Sequence, residues 1–196
     1  KIGMLSDNDE LGTAGLLALG IDPLTSTYAD WKKAAALLTK QRDDGLVRQY
    51  YDNSYIKALQ DGDLAVTQAY SGDIFQANNS GYPHLKFVIP KQGAVLWRDN
   101  SVIPLHAKNP VDALEWIDFY YRPEIQALID DWVNYVSPVP AAKPIVAGQL
   151  DDPAVANSPL VFPTEAELAR LSEYPVTETI ESHDKWTALF DPIIQS

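Results

Sequence analysis

The chain has 196 residues and is 46% hydrophobic, enough apolar material for an ordinary globular core. Its 15 basic residues against 27 acidic ones give a formal charge of −12, a field that repels nucleic acid and anionic lipid and attracts cationic solutes. It contains no cysteine, which excludes a disulfide framework, a thiolate nucleophile and a Cys-ligated metal.

No apolar run approaches the roughly 18 residues that span a bilayer, and no secretory signal peptide is present. Lys1-Ile2-Gly3-Met4-Leu5 reads as a strand that starts at once, and this abrupt start suggests a chain cut from a longer one. Ser6-Asp7-Asn8-Asp9-Glu10 then opens a helix running to about Leu19 and closed by Gly20. Residues 28–40 predict a second helix, because Trp31, Ala34, Ala35 and Leu38 recur at helical spacing. A polar stretch leads to Val47–Tyr51, followed by a short helix near 54–60. Residues 64–70 alternate as a strand would, and Ser71-Gly72-Asp73 opens another helix.

Residues 85–90 and 94–99 read as β segments joined by a turn at Lys91-Gln92-Gly93. Asn109-Pro110 starts an amphipathic helix over 111–121, and Pro123 starts another to about Val133. Residues 137–144 carry three prolines and read as a connector. Thr164-Glu165-Ala166-Glu167 is a capping box, and residues 178–190 predict a final helix carrying Ile180, Trp186 and Leu189. Strands interleaved with helices of this length predict an α/β fold with mostly parallel sheet.

Four patches carry candidate chemistry. Asp7 and Glu10 sit at a strand-to-helix turn, where open α/β sheets bind ligands. The same Asp-x-x-Glu spacing serves as a capping box, and one residue can do both jobs. In a strand, Trp97 and Asp99 share a face, offering an ammonium both a ring and a countercharge; a core Trp beside a turn Asp is the plainer alternative. Tyr70 and Asp73 mark another strand end, with Asp73 able to serve as an N-cap, and Tyr135 lies beside the proline-rich segment, where packing alone accounts for it. His84, His106 and His183 fall in unrelated contexts, with no metal-binding helix pair. No nucleophile elbow, phosphate loop or dinucleotide fingerprint is present, so nothing here calls for an enzyme.

In order and in register, these patches resemble the C-terminal part of periplasmic polyamine-binding proteins, the spermidine/putrescine receptors of ABC importers. The likeness runs from Lys1-Ile2-Gly3 and Asp7…Glu10 through Tyr70-Ser71-Gly72-Asp73, and is most specific at Trp97-Arg98-Asp99-Asn100-Ser101-Val102-Ile103-Pro104. It continues at Ala107-Lys108-Asn109, Tyr121-Arg122-Pro123-Glu124 and Tyr135-Val136-Ser137-Pro138.

The resemblance implies a type II periplasmic-binding-protein architecture of two α/β lobes. Residues 1–98 and 145–196 would form one lobe and 99–144 part of the other, whose remainder would lie upstream. It further implies a periplasmic, cofactor-free and non-enzymatic monomer that captures a small amine in an interlobe cleft and delivers it to a membrane permease. Asp7, Glu10, Tyr70, Asp73, Trp97, Asp99 and Tyr135 are the positions it assigns to the ligand. Two departures bear on ligand identity: Tyr70 stands where the family commonly has Trp, and Pro175 where spermidine-type members carry a glutamine. A zwitterionic amino acid such as γ-aminobutyrate is the rival ligand. A carbohydrate-active enzyme is the rival of another class, since rings beside carboxylates also suit sugars.

Overall fold

A computed structural model describes residues 2–177 and 179–195. In chain order, its strands are β1 (Ile2–Leu5), β2 (Val47–Tyr51), β3 (Val66–Thr67), β4 (Ala94–Val95) and β5 (Leu171–Ser172). The helices through the first half are α1 (Asn8–Ala18), α2 (Tyr28–Asp43), α3 (Tyr55–Gln60) and α4 (Ser71–Asn79). Those that follow are α5 (Pro110–Tyr120), α6 (Pro123–Val133), α7 (Lys143–Gly148), α8 (Pro153–Ala156), α9 (Glu165–Leu168) and α10 (Ile180–Ile194). Lys1 and Glu178, at which the first strand and last helix were expected to start, lie outside the described residues.

The chain forms two compact units. Unit 1 comprises Lys1–Tyr70, Lys86–Trp97 and Ala169–Ser196; unit 2 comprises Ser71–Leu85 and Arg98–Leu168. This grouping differs from the expected lobes, because residues 71–85 and 145–168 pack within unit 2. The reason is a shared core: Val146, Val155, Ala156 and Val161 bury themselves with Ala127 and Ala142, and Phe75 of α4 packs against the same cluster.

In unit 1 the sheet order is β2-β1-β3, all parallel, with Leu5 registered against Tyr51. A second parallel pair joins β4 to β5. Parallel strands require helical crossovers, which α1 with α2, and α3, supply along the sequence. α2 begins at a true capping box: Asp30 N–H donates to Thr27 Oγ1 and Thr27 N–H to Asp30 Oδ2. Its Trp31, Ala34, Ala35 and Leu38 are buried together with Leu11 and Leu16 of α1 and Trp186 and Phe190 of α10. The ring of Trp186 meets Trp31 edge-on at 5.2 Å between centroids and leans on Phe190 at 4.3 Å.

Three expected strands shorten. The expected strand over 64–70 pairs with β1 only at Val66 and Thr67. Residues 85–90 form no strand, and the segment starting at Ala94 stops at Val95, after which Leu96 N–H still reaches Ser172 O at 2.9 Å. Alternating sequence is insufficient where only a short partner strand exists to pair with. The prolines of 137–144 do not exclude helix either, because Pro140 and Pro144 occupy first-turn positions of a 3₁₀ turn and of α7.

Gly12 fixes how closely α1 approaches α10. A Cβ there would stand 2.3 Å from Trp186 Cζ2 and 2.9 Å from Phe190 Cε2, both fully buried rings without room to retreat. Gly12→Ala is expected to destabilise the protein by about 1–3 kcal/mol through overpacking, measured as a lower midpoint in urea at unchanged m-value.

Candidate functional site

The site residues of unit 1 gather at the carboxyl ends of its parallel strands. β1 ends at Leu5, and Asp7 caps α1: its Oδ1 accepts from Asp9 N–H at 2.9 Å and Glu10 N–H at 3.0 Å. This realises half of the expected capping box. Glu10 does not return to the backbone of the cap; its Oε1 accepts from Tyr174 Oη at 2.6 Å instead. Glu10 is 7% exposed, so a carboxyl group is held at a helix start with a phenol as its side-chain hydrogen-bond partner.

Gln68, just past β3, ties the strand ends to α1. Its Oε1 accepts from Leu5 N–H and its Nε2 donates to Glu10 O, each at 3.1 Å. Two residues on, Tyr70 N–H donates to the hydroxyl of fully buried Tyr55 at 3.0 Å. The Tyr70 ring then meets Trp97 nearly perpendicular at 6.2 Å between centroids. Trp97 is 36% exposed, so it is not the core tryptophan of the plainer alternative.

The site residues of unit 2 form their own arrangement. Asp73 lies in the first turn of α4, two residues past its start, and is not the N-cap. It receives Tyr135 Oη on Oδ1 at 2.9 Å. The Tyr135 ring lies against Gly72, where a Cβ would come within 2.6 Å of two ring carbons, so glycine is what admits the phenol. Asn134, left-handed at φ 61°, ends α6 and turns the chain into Tyr135. Gln76 of α4 donates to Val133 O at 2.8 Å, fixing the end of α6 to the helix that bears Asp73. Asp99 is exposed and lies past the end of β4, so strand alternation does not put it on a common face with Trp97.

Burial governs the electrostatics of α1's first turn. It pushes the Glu10 carboxyl above the ordinary value; the Tyr174 hydrogen bond opposes this, and Asp7 and Asp9 reinforce it. Asp9 is also raised, chiefly by burial and then by Asp7. Tyr174 is pushed far up, first by burial and then by Glu10, with Asp7 and Tyr70 close enough to add to the effect. Tyr174 is the hydrogen-bond partner of Glu10, and sequence reasoning missed it. The only signal was its place in Glu173-Tyr174-Pro175 after a strand, beside the position where a ligand-contacting glutamine was expected. Among the described residues, no group of three His, Cys, Asp or Glu is placed to hold a metal ion.

A carboxyl group raised in the folded state binds its proton more tightly folded than unfolded. The native protein therefore loses stability as pH rises from about 4.5, the ordinary Glu value, through Glu10's raised value. Glu10→Gln keeps an acceptor for Tyr174 and removes the buried charge. It is expected to raise the Tm of the ligand-free protein at pH 7, with the gain over wild type shrinking as pH falls to 4.5 in a thermal-melt series.

A family model for bacterial extracellular solute-binding proteins matches residues 1–164. The chain is 32% identical over 179 residues to the putrescine-binding periplasmic protein of Pseudomonas aeruginosa, covering 89% of this chain and 47% of that protein. It is 30% identical over 176 residues to the putrescine-binding periplasmic protein of Escherichia coli, covering 87% of this chain and 46% of that one. A solved structure described as a putative spermidine/putrescine ABC transporter from Listeria monocytogenes superposes with a TM-score of 0.81 at 25% identity, covering 98% of this chain and 56% of that chain. The chain spans about half the length of the curated relatives it matches.

Proposed function

The chain belongs to the bacterial extracellular solute-binding protein family and has the α/β fold of type II periplasmic binding proteins, and we propose that it is part of an ABC-importer receptor that captures a putrescine- or spermidine-like amine outside the cytoplasm. The observation that carries this reading is the buried Glu10 carboxyl, hydrogen-bonded by the Tyr174 phenol, in the same unit as the Tyr70–Trp97 ring pair. An amine entering such a site loses water and must meet a countercharge and a ring face in exchange. The relatives named for putrescine support the ligand class.

Two groups of side chains are assigned to the ligand in this proposal. Unit 1 contributes Asp7, Glu10, Tyr70 and Trp97, and unit 2 contributes Asp73, Asp99 and Tyr135. The lobes, the cleft and the hinge closure that a permease would recognise belong to the same proposal. Binding requires no covalent step. Tyr70 in place of tryptophan offers a weaker cation–π face and adds a hydroxyl, which favours a short amine satisfied by hydrogen bonds.

Calorimetry on the intact protein tests this. Putrescine is expected to bind, and Asp99→Asn to weaken it by about 2–5 kcal/mol, a Kd increase of roughly 30-fold or more, as expected when one member of a charge pair is removed. Affinity for γ-aminobutyrate equal to or above that for putrescine would reject the polyamine reading in favour of an amino acid.

A further inference from the structure

The second half of α6 carries a buried polar pair that the amine reading does not use. Gln126 and Asp130 lie one helical turn apart and are 2% and 3% exposed, and Gln126 Nε2 donates to Asp130 Oδ1 at 2.8 Å. The other two oxygens of the pair, Gln126 Oε1 and Asp130 Oδ2, are buried without a hydrogen-bond partner among the described residues. Both are acceptors, so a carboxylate at position 130 leaves the pair one donor short. Ser137 acts on Asp130, but its hydroxyl proton goes to Val139 O at 3.2 Å. A proton on Asp130 supplies the missing donor, because a carboxylic acid offers an O–H that an amide oxygen can accept.

The surroundings favour that proton. Burial pushes the Asp130 carboxyl above its ordinary value, with Ser137 and Gln126 pulling the other way. Asp130 also lies in the last turn of α6, where the helix dipole is negative and no basic residue offsets it. The elements around α6 carry Asp112, Glu115, Asp118 and Tyr120 on α5, Lys143 on α7, Asp73 on α4 and Asp152 before α8; α6 itself adds Glu124 and Asp131. Among the described residues, burial and the two hydrogen bonds, not these charges, set how Asp130 titrates, and Asp152 acts on Asp131 instead.

The chain that Asp130 anchors leads to the candidate site. Its backbone oxygen accepts from Asn134 N–H at 3.0 Å and from Asn134 Nδ2 at 3.2 Å. Asn134 is buried, and its left-handed turn delivers Tyr135, whose hydroxyl donates to Asp73. We infer that Asp130 is a proton-dependent positioning residue for the site residues of unit 2: as a neutral acid it completes the pair with Gln126 and holds the end of α6 in place for Tyr135, and as a carboxylate it loosens that end. The inference rests on the amine-receptor reading, which makes Tyr135 a ligand residue. Below the ordinary Asp value of 3.8 the proton is present whether the chain is folded or not. As pH rises through the raised value, the folded chain gives up that stability together with its hold on Tyr135.

Asp130→Asn in the intact protein fixes the neutral state, since asparagine can accept from Gln126 Nε2 and donate to Gln126 Oε1. The probe is putrescine in calorimetry between about pH 4.5 and pH 8. Glu124→Gln, which removes an exposed carboxylate at the other end of α6, is the control for charge alone. The ratio of wild-type to variant Kd cancels the titration of other ligand carboxylates, which both proteins share. That ratio is expected to stay near one at the acid end and to rise about threefold or more at the alkaline end, with a parallel gain in ligand-free Tm. In a Tyr135→Phe background the affinity gain should disappear while the Tm gain remains. A ratio that is flat in pH, that is no larger than the Glu124 control's, or that survives Tyr135→Phe overturns the positioning role while leaving the receptor reading in place. A wild-type protein that binds no amine across this range overturns the receptor reading itself, and the positioning role falls with it.

Discussion

Trp186 pressed against Gly12 is the constraint on which the rest of unit 1 depends. The indole is fully buried and touches α1, α2 and its own helix through Gly12, Trp31 and Phe190. Because glycine lets α1 approach α10 without a side chain between them, the axis of α1 is fixed by packing and not by its exposed end. Its first turn is therefore delivered to the sheet in one position. Close-packed interiors transmit such placement with little give. A helix held only by its own propensity could not keep Asp7 and Glu10 in one position.

That first turn joins stability to function in opposite senses. Asp7 contributes to stability as a helix cap, in a role a neutral Asn or Ser fills nearly as well. Glu10 opposes stability, since among the described residues its buried carboxylate has no cation partner and carries a desolvation cost that the phenol hydrogen bond offsets only in part. A cap explains Asp7 without any ligand. The first turn of α1 favours a negative charge at position 10 through the helix dipole, although a glutamine would also meet Tyr174 as an acceptor. Groups strained by their surroundings in this way gather where something else is to be bound.

Legibility in the sequence followed the range of each interaction. Helices with local signals were readable: α2 from its Thr27–Asp30 box and apolar spacing, α4 from Ser71-Gly72-Asp73, α6 from Pro123, and α9 from Thr164 and Glu167. Strand lengths were not, since β3 pairs with β1 at only two positions and β4 ends where its partner β5 ends, and both depend on pairing across dozens of residues. The helical period of α5 was visible too, but none of its residues is buried in the described chain, so periodicity announced a face without saying what covers it. Among site residues, Asp7 was legible because capping is local. Tyr174 was not, because its partner lies 164 positions away. Asp73 was misjudged as a cap for the same reason, since its hydrogen bond comes from Tyr135, 62 residues on.

In the proposed receptor, the formal charge of −12 and the local carboxylates would act on different steps of capture. A diffuse negative field raises the encounter rate of any cation and is screened within about 10 Å at moderate salt, so it cannot discriminate one amine from another. Discrimination needs charges whose positions are fixed and whose water is displaced. The exposed aspartates of the strand ends are fixed by backbone hydrogen bonds and carry little desolvation cost. Glu10 is already stripped of much of its water in the folded state, and a cation reaching it recovers an interaction the empty protein lacks. In the proposed receptor, buried and exposed carboxylates would both contribute to holding the ammonium. The packing of α1 holds Glu10 buried in the folded chain, and in the proposed receptor a cation would offset that cost.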